Sequence, residues 1–173
     1  MSNETLAEII PDIITQLLSG VHTAMPGKIE SYNRDTFRAE VTPLIRKVTN
    51  NNTELDYQTI SDVPVLIFGG SSGIVDVELV KGDNVLLLFA ETEIGGWKSS
   101  KGTNRVSPES LSYHQIADAI AIPCIIPEGM DFSSTPRVSM DKNGTITMKN
   151  SNGNIKLNSN GQASLNDHFT VDP

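Results

Sequence analysis

Glu91 and Glu93 stand two residues apart. On a strand that spacing puts both carboxylates on one face, the arrangement from which a pair could share acid and base work. Such a pair needs an apolar pocket to raise one of the two pKa values. No such pocket is evident around them, and a solvated strand edge is expected. His22 closes an N-terminal helical pattern and His114 opens a late β segment, with no Ser or Cys beside either in a nucleophile-elbow or Cys–His setting. The single cysteine, Cys124, excludes an intrachain disulfide framework and a cysteine-built zinc site within one chain, and beside Pro123 it is a small apolar filler. The glycine-rich pieces "FGGSSG" (68–73) and "IGGWKSSKG" (94–102) lack the phosphate-loop spacing, so their glycines belong to turns. These residues predict a protein that is not an enzyme and uses no cofactor.

The elements that would hold such groups differ along the chain. The net charge of −8 is uneven: residues 1–136 carry 9 Lys/Arg against 18 Asp/Glu, and residues 137–173 carry 4 against 3. An acidic body without a basic cluster speaks against nucleic acid as a partner and against docking on anionic membranes. No stretch approaches the ~20 apolar residues of a membrane span, and no secretory leader is recognisable, so synthesis in the cytoplasm as a soluble chain is expected. With 173 residues and 38% hydrophobic content, one domain and an appendage fit better than two full domains.

Residues 1–22 form the first segment. Leu6, Ile9, Ile10, Ile13, Ile14, Leu17, Leu18 and Val21 follow helical spacing, Ser2 or Thr5 can cap the start, and Gly20 can end it. Pro11 suits the first turn, so the regular part is expected to begin there. So wide an aliphatic stripe on a terminal helix needs a partner surface, and Ile9, Ile13 and Leu17 are its candidate docking residues.

Residues 23–132 have β texture. Phe37, Ala39 and Val41 alternate with Arg38 and Glu40, Val63 to Phe68 is an apolar strand halted by Gly69-Gly70, and Gly82-Asp83 turns a further strand pair. The run Val85 to Ala90 is apolar on both faces and should be a central strand. Ile94 to Ser112 is a long surface loop, in which Trp97 contacts a partner or anchors the loop. Ala117, Ala119 and Ala121 then alternate with Asp118, Ile120 and Ile122. Five or six short strands with unequal loops suit a small Greek-key barrel of the oligonucleotide/oligosaccharide-binding (OB) type.

Residues 133–173 begin with a linker, "SSTPRV", and change regime. Three Asn-Gly pairs, Asn143-Gly144, Asn152-Gly153 and Asn160-Gly161, are each followed by apolar residues two and four positions on: Ile146 and Met148, Ile155 and Leu157, Ala163 and Leu165. Val138 and Met140 carry the alternation one repeat earlier. Two inward side chains per strand supply on the order of 3–5 kcal/mol of burial, against roughly 1–2 kcal/mol of backbone entropy for each of eight or nine residues. One copy cannot fold on its own contacts. A disordered tail does not explain the phase, and a meander on type I′ turns would be an open sheet with nothing behind it. Three copies wound about one axis, with these eight apolar residues as the trimer core, close the arithmetic with roughly four strands per chain.

A barrel followed by such a needle resembles the membrane-piercing spike proteins of phage tails. The resemblance is carried by "MPGKIESYNRDTFRAEVTPLI" (25–45), "VPVLIFGG" (63–70), "GDNVLLLFAE" (82–91) and "ADAIAIPCIIP" (117–127), in that order, and then by the Asn-Gly repeats. It implies a mainly β homotrimer: an N-terminal helix, an OB-type barrel, and an intertwined triple-stranded β-helix. It also implies docking on the tail hub and tail-tube proteins at the baseplate tip of the virion, and puncture of the host outer envelope. Spikes of this kind often end in a His-x-His pair that binds iron on the axis. Here only His168 is present; three copies of it could meet a metal, but a lone terminal His more often faces solvent, and no metal is expected. A receptor- or carbohydrate-binding short tail fibre is the alternative, and an OB-type nucleic-acid binder with a disordered tail a second one.

Overall fold

The computed structural model describes residues 6–49, 51–123, 125–130, 136–166 and 169–171. The chain is mainly β and divides into two compact units, Met1–Ile126 and Pro127–Pro173.

The first unit starts with helix α1 (Leu6–Leu18). It runs through Pro11 and does not begin there, contrary to the expectation from proline's missing N–H. The Thr15 hydroxyl donates to the Pro11 carbonyl at 2.8 Å, and Gly20 N–H closes the end on Leu17 O at 3.2 Å. Ser2 and Thr5 lie outside the described residues. Nine strands follow: β1 (Ala24–Asn33), β2 (Arg38–Pro43), β3 (Lys47–Val48), β4 (Glu54–Leu55), β5 (Ile60–Pro64), β6 (Phe68–Gly70), β7 (Gly73–Val75), β8 (Asn84–Phe89) and β9 (Ala119–Pro123). A short helix, α2 (Gly95–Lys98), sits in the long connection between β8 and β9.

Five of these strands make one antiparallel sheet in the order β5-β2-β1-β8-β9, curled into a half-barrel. β1 is ten residues long because it serves two partners, pairing with β8 over Ala24–Lys28 and with β2 over Gly27–Asn33. The pairing with β2 shifts register between Ile29 and Ser31, the kind of irregularity that sharpens the bend of a curled sheet. The sheet's two edges meet where Val65, just past β5, bridges Ala121 of β9 in parallel, and Leu66 N–H donates to Ala121 O at 2.8 Å. Ile29, Val41, Val63, Val85 and Leu87 are the largest fully buried side chains of the enclosed core.

The alternation expected for β2 and β9 places Ala39, Val41, Ala119 and Ala121 in that core, and β8, expected to be apolar on both faces, adds Val85, Leu87 and Phe89 from one face only. β8 is an interior strand, but its second apolar face stays outside, with Leu88 exposed. Two boundaries differ from expectation. The strand foreseen to Phe68 ends at Pro64, because Val65 and Leu66 leave to close the sheet, and Phe68 opens the hairpin β6–β7. Gly82-Asp83 makes a turn without a preceding strand: Gly82 N–H bonds Ile29 O and Ile29 N–H bonds Asp83 O, both at 2.9 Å, which feeds the chain into β8.

The second unit is one five-stranded antiparallel meander in sequence order: β10 (Arg137–Met140), β11 (Ile146–Lys149), β12 (Asn154–Leu157), β13 (Ala163–Leu165) and β14 (Phe169–Val171). The strands are five where four were expected, because Phe169–Val171 pairs with Ala163–Leu165.

Candidate functional site

The meander's register decides what its faces present. Val138 pairs with Met148, Met148 with Ile155 and Ile155 with Leu165, and the row continues to Phe169. Met140, Ile146, Leu157, Ala163 and Val171 form a second row in the same way. Side chains alternate across a strand, so the members of both rows from β10 to β13 share one face, while Ser139, Thr147, Lys156 and Ser164 share the other. The eight residues named as a trimer core therefore stand together in two cross-strand columns. Within the single chain these columns are largely uncovered: Ala163 is half-buried and the other seven residues run from 37% exposed at Ile146 to 78% at Met140, whereas Ser164 on the polar face is 9% exposed.

All three Asn-Gly pairs lie in the connections between these strands. Two of them are type I turns followed by a left-handed glycine, not the type I′ turns considered from sequence: Gly144 has φ 85° and Gly161 φ 86°, while their asparagines keep negative φ. Gly144 N–H bonds Asp141 O and Asp141 N–H bonds Thr145 O, and Asn158, Gly161 and Gln162 repeat the pattern. A glycine bulge of this kind adds one loop residue and preserves the strand twist. At Asn152-Gly153 the Asn150 Oδ1 accepts from Asn152 N–H at 2.8 Å and Gly153 N–H at 3.0 Å. Gly153 is needed because the Asn166 side chain lies where a Cβ would be.

The docking residues Ile13 and Leu17 are exposed on α1; Ile9 falls in the same helix, and its side chain lies outside the described set, as do His168 and Cys124. No described helix is long and apolar enough to cross a membrane.

The groups that might have done chemistry are engaged otherwise. Glu93 is not a solvated edge. Its carboxylate accepts the Glu109 N–H at 3.0 Å and the Gly95 N–H, and these backbone hydrogen bonds hold its pKa below the ordinary carboxylate value. That is the opposite of the shift a general acid needs. Glu91 contributes its backbone carbonyl to His114 N–H at 3.1 Å. His22 packs its ring against Phe89 at 5.4 Å and Tyr57 at 5.6 Å between centroids, and burial lowers its pKa. Among the described residues no three His, Cys, Asp or Glu side chains converge on a point that could hold a metal ion.

Sequence reasoning missed one cluster altogether. Arg38, Asp62 and Lys98 meet beside Tyr32 and Glu40 at an open cleft of about 690 Å³. Arg38 and Lys98 are sixty positions apart in sequence, and only the curl of the sheet brings them together.

The curled five-stranded sheet and the five-stranded meander define a mainly β protein of two units. The comparison with known families makes the class definite. The family described as "Phage protein Gp138 N-terminal domain" matches residues 25–124, more than half of the chain and the curled sheet from the second residue of β1 to the end of β9. The chain belongs to this family; it is a phage structural protein, a component of the virion. No curated protein matches it.

Proposed function

We propose that this protein is the trimeric spike of a phage tail tip, seated on the tail hub by its N-terminal unit and puncturing the host envelope with its C-terminal unit. The observation that carries the reading is the pair of apolar columns, Val138-Met148-Ile155-Leu165 and Met140-Ile146-Leu157-Ala163, on a face that one chain leaves open. A single-layer sheet keeps such a face in water, and covering it is favourable. Three copies turning these columns to a common axis exclude water from them and form a β-helical needle, leaving the polar face outside. Five strands about 4.8 Å apart make a stub roughly 20 Å long. Its stiffness comes from backbone pairing along the whole length, so axial force is borne without local unfolding.

The N-terminal sheet supports the same reading as an OB-type barrel. Its first main strand pairs with the second and fourth, the second with the third, the fourth with the fifth, and the third and fifth meet in parallel at Val65 and Ala121. That connectivity is the one a five-stranded Greek-key barrel of this type requires. The exposed aliphatic stripe of α1, including Ile10, Ile13 and Leu17, suits docking into an apolar groove of the hub. A nucleic-acid partner is disfavoured by the net charge of −8.

The test is substitution on the proposed axis. Ile155→Asp and Leu157→Asp place three carboxylates side by side in the core and should yield monomers, while Lys156→Asp, on the opposite face between them, should leave the trimer intact. If Ile155→Asp assembles like the parent, these columns do not face the axis.

A further inference from the structure

We infer that the cleft between Arg38 and Lys98 is a binding site for an acidic saccharide, a sugar bearing a carboxylate. The chain is acidic throughout this unit, yet two cations are drawn out of water here: the Arg38 side chain is 25% exposed and the Lys98 side chain 13%. Neither is fully used. Arg38 Nη2 donates to Lys98 O at 3.1 Å, but Nη1 is buried without a hydrogen-bond partner. Lys98 Nζ reaches only the Asp62 carbonyl, at 3.4 Å. The carboxylate that faces both cations, Asp62, is 61% exposed and stands 3.8 Å from Arg38 Nε and 3.9 Å from Lys98 Nζ, beyond hydrogen-bond length for both. A buried guanidinium nitrogen left unpaired is costly, and a planar carboxylate matches the guanidinium fork.

The rest of the cleft distinguishes a sugar acid from a bare anion. Glu40 faces the same space and accepts a hydrogen bond from Ser31 Oγ at 3.1 Å. A second carboxylate would repel a small inorganic anion but accepts hydrogen bonds from sugar hydroxyls. Thr36 and the Tyr32 ring complete a polar wall with an aromatic member. The volume, about 690 Å³, is that of a small-ligand site and holds two or three sugar rings. Two residues at the cleft hold left-handed backbone, Phe37 beside Arg38 (φ 52°) and Asp62 itself (φ 53°). Strain of this kind persists where surrounding structure fixes it, and it clusters at ligand sites. The site lies within one chain and depends neither on the trimer nor on envelope puncture.

Calorimetric titration of the full-length protein with trigalacturonate, neutral galactotriose and sodium acetate tests it. Trigalacturonate should bind, with galactotriose and acetate each about tenfold weaker or more, since a charge-assisted bond or the hydroxyl contacts are then missing. Arg38→Lys keeps the charge but loses the fork, and Lys98→Met keeps the length but loses the amine. Each should weaken trigalacturonate about tenfold. Lys98→Met lies outside the core and keeps the test valid if Arg38→Lys unfolds. Absence of trigalacturonate binding, equal binding of acetate or galactotriose, or parental affinity in the folded variants would overturn the assignment.

Discussion

At Gly27 the missing side chain is what lets β1 pass between β2 and β8. A Cβ there would stand 2.7 Å from Val41 Cγ1 and 2.9 Å from Leu87 Cδ1, both fully buried. Gly27→Ala should therefore destabilise the N-terminal unit by about 1–3 kcal/mol, the usual cost of overpacking, measurable as a lower urea midpoint with unchanged slope. Glu93 makes a prediction of a different kind. Its folded pKa is depressed by backbone N–H groups of Glu109 and Gly95, so the stabilisation it gives the loop is fully present above its unfolded value of 4.5 and is lost as pH falls through the lower folded value. The protection of the Gly95 and Glu109 amides against hydrogen exchange, relative to the unfolded chain at the same pH, should hold down to about pH 4.5 and fall below it. Glu93→Gln should remove that pH dependence and leave both amides exchanging faster at neutral pH.

At the scale of elements, the hairpins of the C-terminal unit depend on their glycines. Gly144 and Gly161 occupy a left-handed conformation that costs an L-residue roughly 1–2 kcal/mol. Gly144→Ala should lower the thermal stability of the C-terminal unit by about that amount per chain, read by protease sensitivity after Pro136 on heating, whereas Ser151→Ala in the neighbouring connection should change little. These strands were legible in the sequence because period-two alternation and Asn-Gly turns are local signals. So were the core positions of β2 and β9. The reach of α1 past Pro11 was not legible, since proline's local preference yields to the aliphatic stripe on either side of it. Nor was the end of β5, which is set by Val65 leaving for Ala121, 56 positions later. The Arg38–Lys98 cleft had no sequence signal at all: Arg38 is simply the outward residue of an alternating strand, and Lys98 one polar residue in a long loop. Glu93 was misjudged for the same reason, because its partners are backbone amides, which every residue but proline carries.

For the whole molecule, the two units ask different things of solvent. The N-terminal sheet encloses its own core, with Ile29, Val41, Val85 and Leu87 inaccessible. The C-terminal sheet has its apolar residues on the outside of a single chain, and in the proposed spike copies of the same sheet cover them. That asymmetry is the physical content of the spike proposal, and it joins the family membership of residues 25–124 to a function for the segment beyond them. The most direct measurement is the mass in solution of the full-length protein by light scattering coupled to size exclusion. Three times the chain mass of 18.7 kDa is predicted, unchanged on dilution to low micromolar concentration. A particle of one chain mass, with a tail cleaved by protease after Pro136, would contradict it.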